Sequence, residues 1–196
     1  MKTEPAILRL RVQLRYIEPA IWREIEVPGE YNFWDLHVAI QDAMGWQDSH
    51  LHAFRVGEGR NAVTIGVPDP DGFDDAPVLP GRKVPVRQYL EKPGQRVQYD
   101  YDFGDGWEHD VVLQEVAERR PRLKYPWCVG GARACPPEDC GGPPGYEELL
   151  ETLSDPAHPE HASMLEWLGG PFDPEAFDPD AVRFDDPKKR WRRAYG

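Results

Sequence analysis

No apolar run in this sequence approaches the roughly 20 residues that a bilayer-spanning helix needs, which excludes a helical membrane anchor within it. Cysteine is scarce: there are three, an odd number, all between residues 128 and 140. A secreted disulfide scaffold favours an even, spread-out set, so the expected compartment is a reducing cytoplasm. The opening Met1-Lys2-Thr3-Glu4-Pro5 holds no apolar stretch and predicts no secretory signal. Positive charge is also in deficit. With 23 Lys+Arg against 35 Asp+Glu the net charge is −12, the opposite of what phosphate neutralisation requires. The glycines follow no three-residue period, which excludes collagen. A hydrophobic content of 40%, with seven Trp and eight Tyr, excludes a disordered polyelectrolyte. What the chain has in excess is proline: 21 in 196 residues, about twice ordinary usage.

The charge is uneven. Residues 188–193, Lys-Lys-Arg-Trp-Arg-Arg, hold five positive charges and no acid. Removing those five from the net −12 leaves −17 on the rest of the chain. This run reads as a solvated terminus that pairs with acidic surface, or as an anion contact.

Period-two alternation marks the first strand: Leu8, Leu10, Val12 and Leu14 against Arg9, Arg11, Gln13 and Arg15. Residues 21–27 resume extended character after Pro19, making a hairpin. Asn32 is an N-cap, with Asp35 in the first turn. Phe33, Leu36, Ile40, Ala43 and Met44 follow at helical spacing up to a Gly45 stop. Leu51–Val56 is a short extended segment. Residues 68–93, with six prolines and Asp69, Asp71, Asp74 and Asp75, read as a long exposed loop with a short helix near Val86–Leu90. A second hairpin alternates Val97, Tyr99, Tyr101 and Phe103 with polar residues, then Trp107, His109, Val111 and Leu113. A Gly104-Asp105-Gly106 loop keeps both apolar sets on one face and places His109 opposite Tyr101. Residues 121–145 read as irregular. Helices follow with stripes Tyr146–Leu149–Leu150–Leu153 and His161–Met164–Leu165–Leu168, the second started by Asp155-Pro156. Asp173-Pro174 and Asp178-Pro179 repeat that start signal.

Four constellations carry candidate chemistry. Cys128-x6-Cys135-x4-Cys140 offers three thiolates, and zinc takes four ligands, with His109, His50 or His52 to complete the set. The competing reading is small thiols packed in a stiff loop. His50-x-His52 would put two imidazoles on one strand face, or simply pack at the core edge beside Trp46 and Phe54. Asp102 to His109 groups carboxylates and a histidine around a turn, suited to a cation or acid–base work, or to turn chemistry alone. Gly141-Gly142-Pro143-Pro144-Gly145 precedes a helix, but its prolines and the neighbouring Glu138, Asp139, Glu147 and Glu148 argue against a phosphate loop.

Several segments carry a family resemblance. They are Ile21-Trp22-Arg23, Leu36-His37-x2-Ile40-Gln41 through Met44-Gly45-Trp46, Ser49-His50-Leu51-His52-x-Phe54, Tyr101-Asp102-Phe103-Gly104-Asp105-x-Trp107-x-His109, and Ala134-Cys135-Pro136-Pro137-Glu138-Asp139-Cys140-Gly141-Gly142. Over about residues 6–182 the chain resembles the plasmid pRiA ORF-three-like family, whose members are also labelled TnpR-like passenger proteins of insertion elements. The resemblance implies an α+β fold and an association with mobile DNA, and supplies no mechanism. It directs attention to His50, His52, Asp102, Asp105, Trp107, His109, Cys135 and Cys140. A serine resolvase is excluded by the residues themselves. The serines are Ser49, Ser154 and Ser163, and Ser49 adjoins His50 rather than an arginine cluster.

The expectations are therefore as follows. Residues 1–184 form a single α+β domain with an antiparallel or mixed sheet, helices on one face and a helical part at 144–184. Residues 185–196 form a basic tail. The leading function is a cytoplasmic interaction module that binds a protein partner, with a structural zinc at Cys128, Cys135, Cys140 and His109. Its acidic body favours a basic partner. A metal-dependent hydrolase using His50, His52, His109 and a nearby Asp is the other reading. Nucleic acid would be contacted only through Lys188–Arg193.

Overall fold

The alternation that opens the chain becomes the central part of a sheet. The structure is a computed structural model and describes residues 6–57, 59, 62–68 and 77–196. Strand β1, Ile7–Leu14, buries Leu8, Leu10, Val12 and Leu14 on one face. β2, Trp22–Pro28, pairs antiparallel to it. Helix α1, Phe33–Met44, starts at a capping box in which Asn32 accepts from the Asp35 amide and Asp35 accepts from the Asn32 amide. It ends at Gly45 in the left-handed conformation. The remaining strands are β3 (His52–Val56), β4 (Val63–Gly66), β5 (Val78–Pro80), β6 (Arg96–Tyr101), β7 (Trp107–Ala117) and β8 (Trp127–Ala132). They form one eight-stranded sheet in the order β5-β4-β3-β6-β7-β1-β2-β8. The β4–β5 pair is parallel and the other pairs are antiparallel, so the sheet is mixed. With helices α1, α2 (Gly142–Ser154), α3 (His161–Leu168) and α4 (Pro187–Tyr195), the fold is α+β.

The two sides of the sheet differ in chemistry. Side chains of β1, β2, β6 and β7 join Leu36, Ile40, Tyr146 and Leu149 of the helices in one apolar cluster. The opposite side is a lattice of ion pairs, including Arg9–Glu26 at 2.7 Å, Arg15–Asp110 at 2.6 Å and Arg9–Glu115 at 3.1 Å. Pairs that reach solvent, such as Arg15–Asp110, contribute about 0–1 kcal/mol each, whereas a fully buried aliphatic or aromatic side chain contributes about 1.5–3 kcal/mol. The apolar side therefore supplies most of the fold's stability.

Five readings need correction. The β6–β7 hairpin pairs Tyr101 with Trp107 and Tyr99 with His109, two residues away from the expected register. Asp102 is the reason. Its Oδ1 accepts from the amides of Gly104 and Asp105, closing the turn early. Phe103 is left 56% exposed, but a shift of two preserves which side chains face the core. Within 68–93, β5 and a 3₁₀ turn, Gly81–Lys83, replace part of the expected loop, while a 3₁₀ turn at Val86–Gln88 stands where the short helix is expected. Its aspartates at 69, 71, 74 and 75 lie outside the described residues. Residues 127–132, read as irregular, are edge strand β8. Its glycines hid it: a Cβ at Gly131 would stand 2.5 Å from the Phe177 ring and 2.7 Å from the Trp22 carbonyl oxygen. Asp155-Pro156 makes a turn, in which Asp155 accepts from the Ala157 amide, and α3 begins only at His161. The basic segment is a helix, α4, capped by Asp186 through the Lys188 and Lys189 amides.

Candidate functional site

Two histidine–carboxylate clusters lie near the C-terminal end of α1. In the first, His37 of α1, Asp48 and His52 of β3 bring ligand atoms within 4.8 Å of one another. Gln41 Nε2 donates to the Tyr99 hydroxyl at 2.9 Å, and Tyr99 donates to His37 Nδ1 at 2.8 Å. His37 Nε2 donates to Asp48 Oδ1 at 2.8 Å, and the Asp48 amide donates to Gln41 Oε1 at 3.1 Å, closing a ring of hydrogen bonds. This network fixes the tautomer of His37. The imidazoles of His37 and His52 stack at 3.4 Å, nearly parallel. Burial holds both well below the usual imidazole pKa, with Arg190 adding to the effect on His37 and His37 adding to that on His52. Arg190 of α4 approaches Asp48 at 3.9 Å and binds Asp42 at 2.6 Å. The Arg190 guanidinium thus stands at the edge of this cluster, with its close ion pair on Asp42.

The second cluster is open. His50 Nε2 stands 2.9 Å from Asp139, 3.5 Å from Glu138 and 3.6 Å from Asp102. Three segments place these groups. The stretch after α1 is held to the loop at 136–141 by Trp46 Nε1 donating to the Pro136 carbonyl at 3.0 Å and by the Gln47 amide donating to Glu138 at 2.6 Å. Tyr101 accepts from the Ser49 amide and donates to Glu138, both at 3.0 Å. The hairpin supplies Asp102, at φ +52, and Asp139 stands at φ +57. Aspartate tolerates this left-handed region better than most residues. His50 Nε2 is enclosed but makes no well-directed hydrogen bond. Among the described residues, no Lys or Arg pairs with Asp102, Glu138 or Asp139. Asp139 is 69% exposed and leaves one side of the notch accessible.

The other expected site residues serve elsewhere. Asp105 accepts from the Gly141 amide at 3.1 Å, tying the hairpin to the start of α2. A Cβ at Gly142 would stand 2.1 Å from the Asp105 carbonyl oxygen. Trp107 is core, packed against Trp46. His109 is buried, donates from Nδ1 to the Tyr99 carbonyl, and leaves Nε2 without a partner. Burial pulls it down to about 4. His50, His52 and His109 do not converge. His50 precedes β3, so strand parity does not join it to His52, and β6 separates His52 from His109.

Cys128, Cys135, Cys140 and His109 likewise do not gather as one ligand set among the described residues. Cys128 is on β8 and His109 on β7, three strand spacings apart in the sheet, or about 14 Å. The three cysteines are free. Burial pushes the Cys135 thiol up, and pushes that of Cys140 up to about 12. Sequence reasoning missed His37, Asp48, Glu138 and Asp139 as site residues. The available signal was His37 with Gln41, two polar residues one turn apart on the face of a helix that is otherwise apolar.

The fold and site define an α+β protein with a mixed sheet and an acidic, histidine-centred notch. The chain belongs to the family described as plasmid pRiA4b ORF-3-like protein, which it matches over residues 6–181. It is 36% identical over 196 residues to the uncharacterized protein y4hQ of Sinorhizobium fredii (strain NBRC 101917 / NGR234), covering 96% of this chain and 95% of that one. It is also similar to the crystal structure of MM3350, a protein of unknown function from Methanosarcina mazei Go1, at 40% identity and a TM-score of 0.82, covering 93% of this chain and 100% of that one. No helix among the described residues is long and apolar enough to cross a membrane.

Proposed function

We propose that this chain is a cytoplasmic, cation-dependent binding module whose working site is the notch of His50, Asp102, Glu138 and Asp139. One observation carries the reading: three carboxylates converge on one imidazole nitrogen, with no Lys or Arg paired to any of them among the described residues. Such a group has uncompensated negative charge, which a divalent cation neutralises. One nitrogen and several oxygens suit Mn²⁺, Zn²⁺ or Mg²⁺. The accessible side at Asp139 leaves coordination positions for a partner's carboxylate or phosphate. A bridging cation would also relieve the repulsion between an acidic partner and a chain of net charge −12. The free thiols support a reducing compartment.

The test is calorimetric titration of the untagged, chelator-treated chain with Mn²⁺, Zn²⁺ and Mg²⁺. The expected result is one site for at least one of them, weakened at least tenfold in His50→Ala and Asp102→Asn. Absence of binding by all three metals, or undiminished binding in both variants, overturns the proposal. The exposed Asp139 carboxylate also suits a basic segment of a partner protein, and that reading requires capture of the partner to be unaffected by EDTA.

A further inference from the structure

A separate cavity of about 350 Å³ lies on the other side of His52, between α1, the 81–83 turn and α4. Its volume falls in the range of small-molecule sites, about 300–1,000 Å³. Trp34 and Trp191 form aromatic walls, their rings 5.0 Å apart edge to face. Arg82 and Lys83 bring two cations to it, and the Arg82 guanidinium lies over the Trp191 ring at 4.3 Å. His52 also lines the cavity, yet is only 8% exposed. Its ring makes no hydrogen bond among the described residues; the stacked His37, Trp34 at 5.9 Å and the Asp48 carboxylate lie around it.

These features are those of a built pocket rather than a surface dent. Aromatic walls favour a flat apolar body. The paired cations favour an anionic group, against the prevailing acidity of the chain. The His52 ring lines the cavity and makes no hydrogen bond among the described residues, so it offers a polar contact to a ligand. We infer that this cavity binds a small planar anion, an aromatic ring bearing a phosphate or carboxylate. In this arrangement the ring lies beside Trp34 and Trp191, the anionic group at Arg82 and Lys83, and a polar ring atom at His52. The inference does not depend on the notch at His50.

The experiment titrates the full chain with AMP and with indole-3-acetate, using adenosine as the uncharged control. The expected result is a dissociation constant below about 1 mM for at least one anion, with adenosine binding at least tenfold more weakly than AMP if AMP is the one bound. An Arg82→Gln/Lys83→Gln double variant should weaken that anion at least tenfold, and so should His52→Asn, whereas His50→Ala should leave it unchanged. Because Arg82 and Lys83 are exposed, the double variant should fold as the wild type does, which a matching circular dichroism spectrum checks. Binding of neither anion, or binding indifferent to the loss of Arg82 and Lys83, overturns the inference. The chain's own Asp69, Asp71, Asp74 and Asp75 follow Pro68 in sequence and carry carboxylates too. A variant with all four changed to Asn is therefore titrated alongside. Anion binding by that variant alone would make the chain its own occupant and would also overturn the inference.

Discussion

His50 and His52 are two residues apart and live in different chemistry. His52 stacks on His37 inside a cluster whose carboxylate, Asp48, lies 3.9 Å from Arg190. His50 faces three carboxylates that no Lys or Arg meets among the described residues. The first cluster is approached by the chain's own C-terminal helix, so His37 and Asp48 serve the fold, and His52 also borders the neighbouring cavity. The second has no Lys or Arg partner among the described residues, and the proposed binding role rests on that difference. The same residue types thus give a structural network or a ligand site, depending on whether the fold delivers the counter-charge.

The comparison can be strained hardest with acid. His37, His52 and His109 are buried as neutral rings with lowered pKa values, His109 at about 4. In the unfolded chain each titrates near 6.5. Their stabilising effect is therefore complete above that pH. It is lost as pH falls from about 6.5 towards 4, at up to about 1.4 kcal/mol per pH unit for each ring. Urea denaturation across this range should show a steep loss of stability, with a shallower slope in His109→Gln. A pH-independent stability between 6.5 and 4.5 would contradict the assignment of neutral buried rings.

Next in size is His37→Ala, which opens the hydrogen-bond ring and strands Asp48 in a buried setting. It should cost about 3 kcal/mol in chemical denaturation. Trp191→Ala removes the ring that packs on Trp34 and loosens the helix that carries Arg190. A loss of about 2 kcal/mol is expected, read as a lower Tm. The smallest effect on stability should come from the open notch. Asp139→Asn should change stability by less than about 0.5 kcal/mol while weakening metal binding. That split between folding and binding is the sharpest form of the contrast.

Legibility in the sequence followed the range of the interactions. The alternation of β1 and the Asn32–Asp35 cap of α1 involve neighbours along the chain, and both elements stand where the pattern places them. β8 was hidden because Gly131 is set by the close approach of Phe177 and β2, which no local pattern announces. The hairpin register turned on one side chain, Asp102, capping its own turn. The site was half visible: His50 and Asp102 stood out, but Glu138 and Asp139 arrive from a loop whose cysteines drew the metal reading. Arg190 shows the same limit. In sequence it belongs to an undivided basic run, while in the fold Arg190 and Arg193 pair with acids and Lys188, Lys189 and Arg192 face outward without an ion pair among the described residues.

The central claim is that the notch at His50, and not the network at His37 or the cysteines, is the cation site. Crystals of the metal-free chain soaked in Mn²⁺, with anomalous scattering recorded, test it most directly. One strong peak is expected about 2.0–2.3 Å from His50 Nε2, shared with oxygens of Asp102, Glu138 and Asp139. A peak at Cys135 and Cys140 or between His37 and His52, or no peak at all, would contradict it.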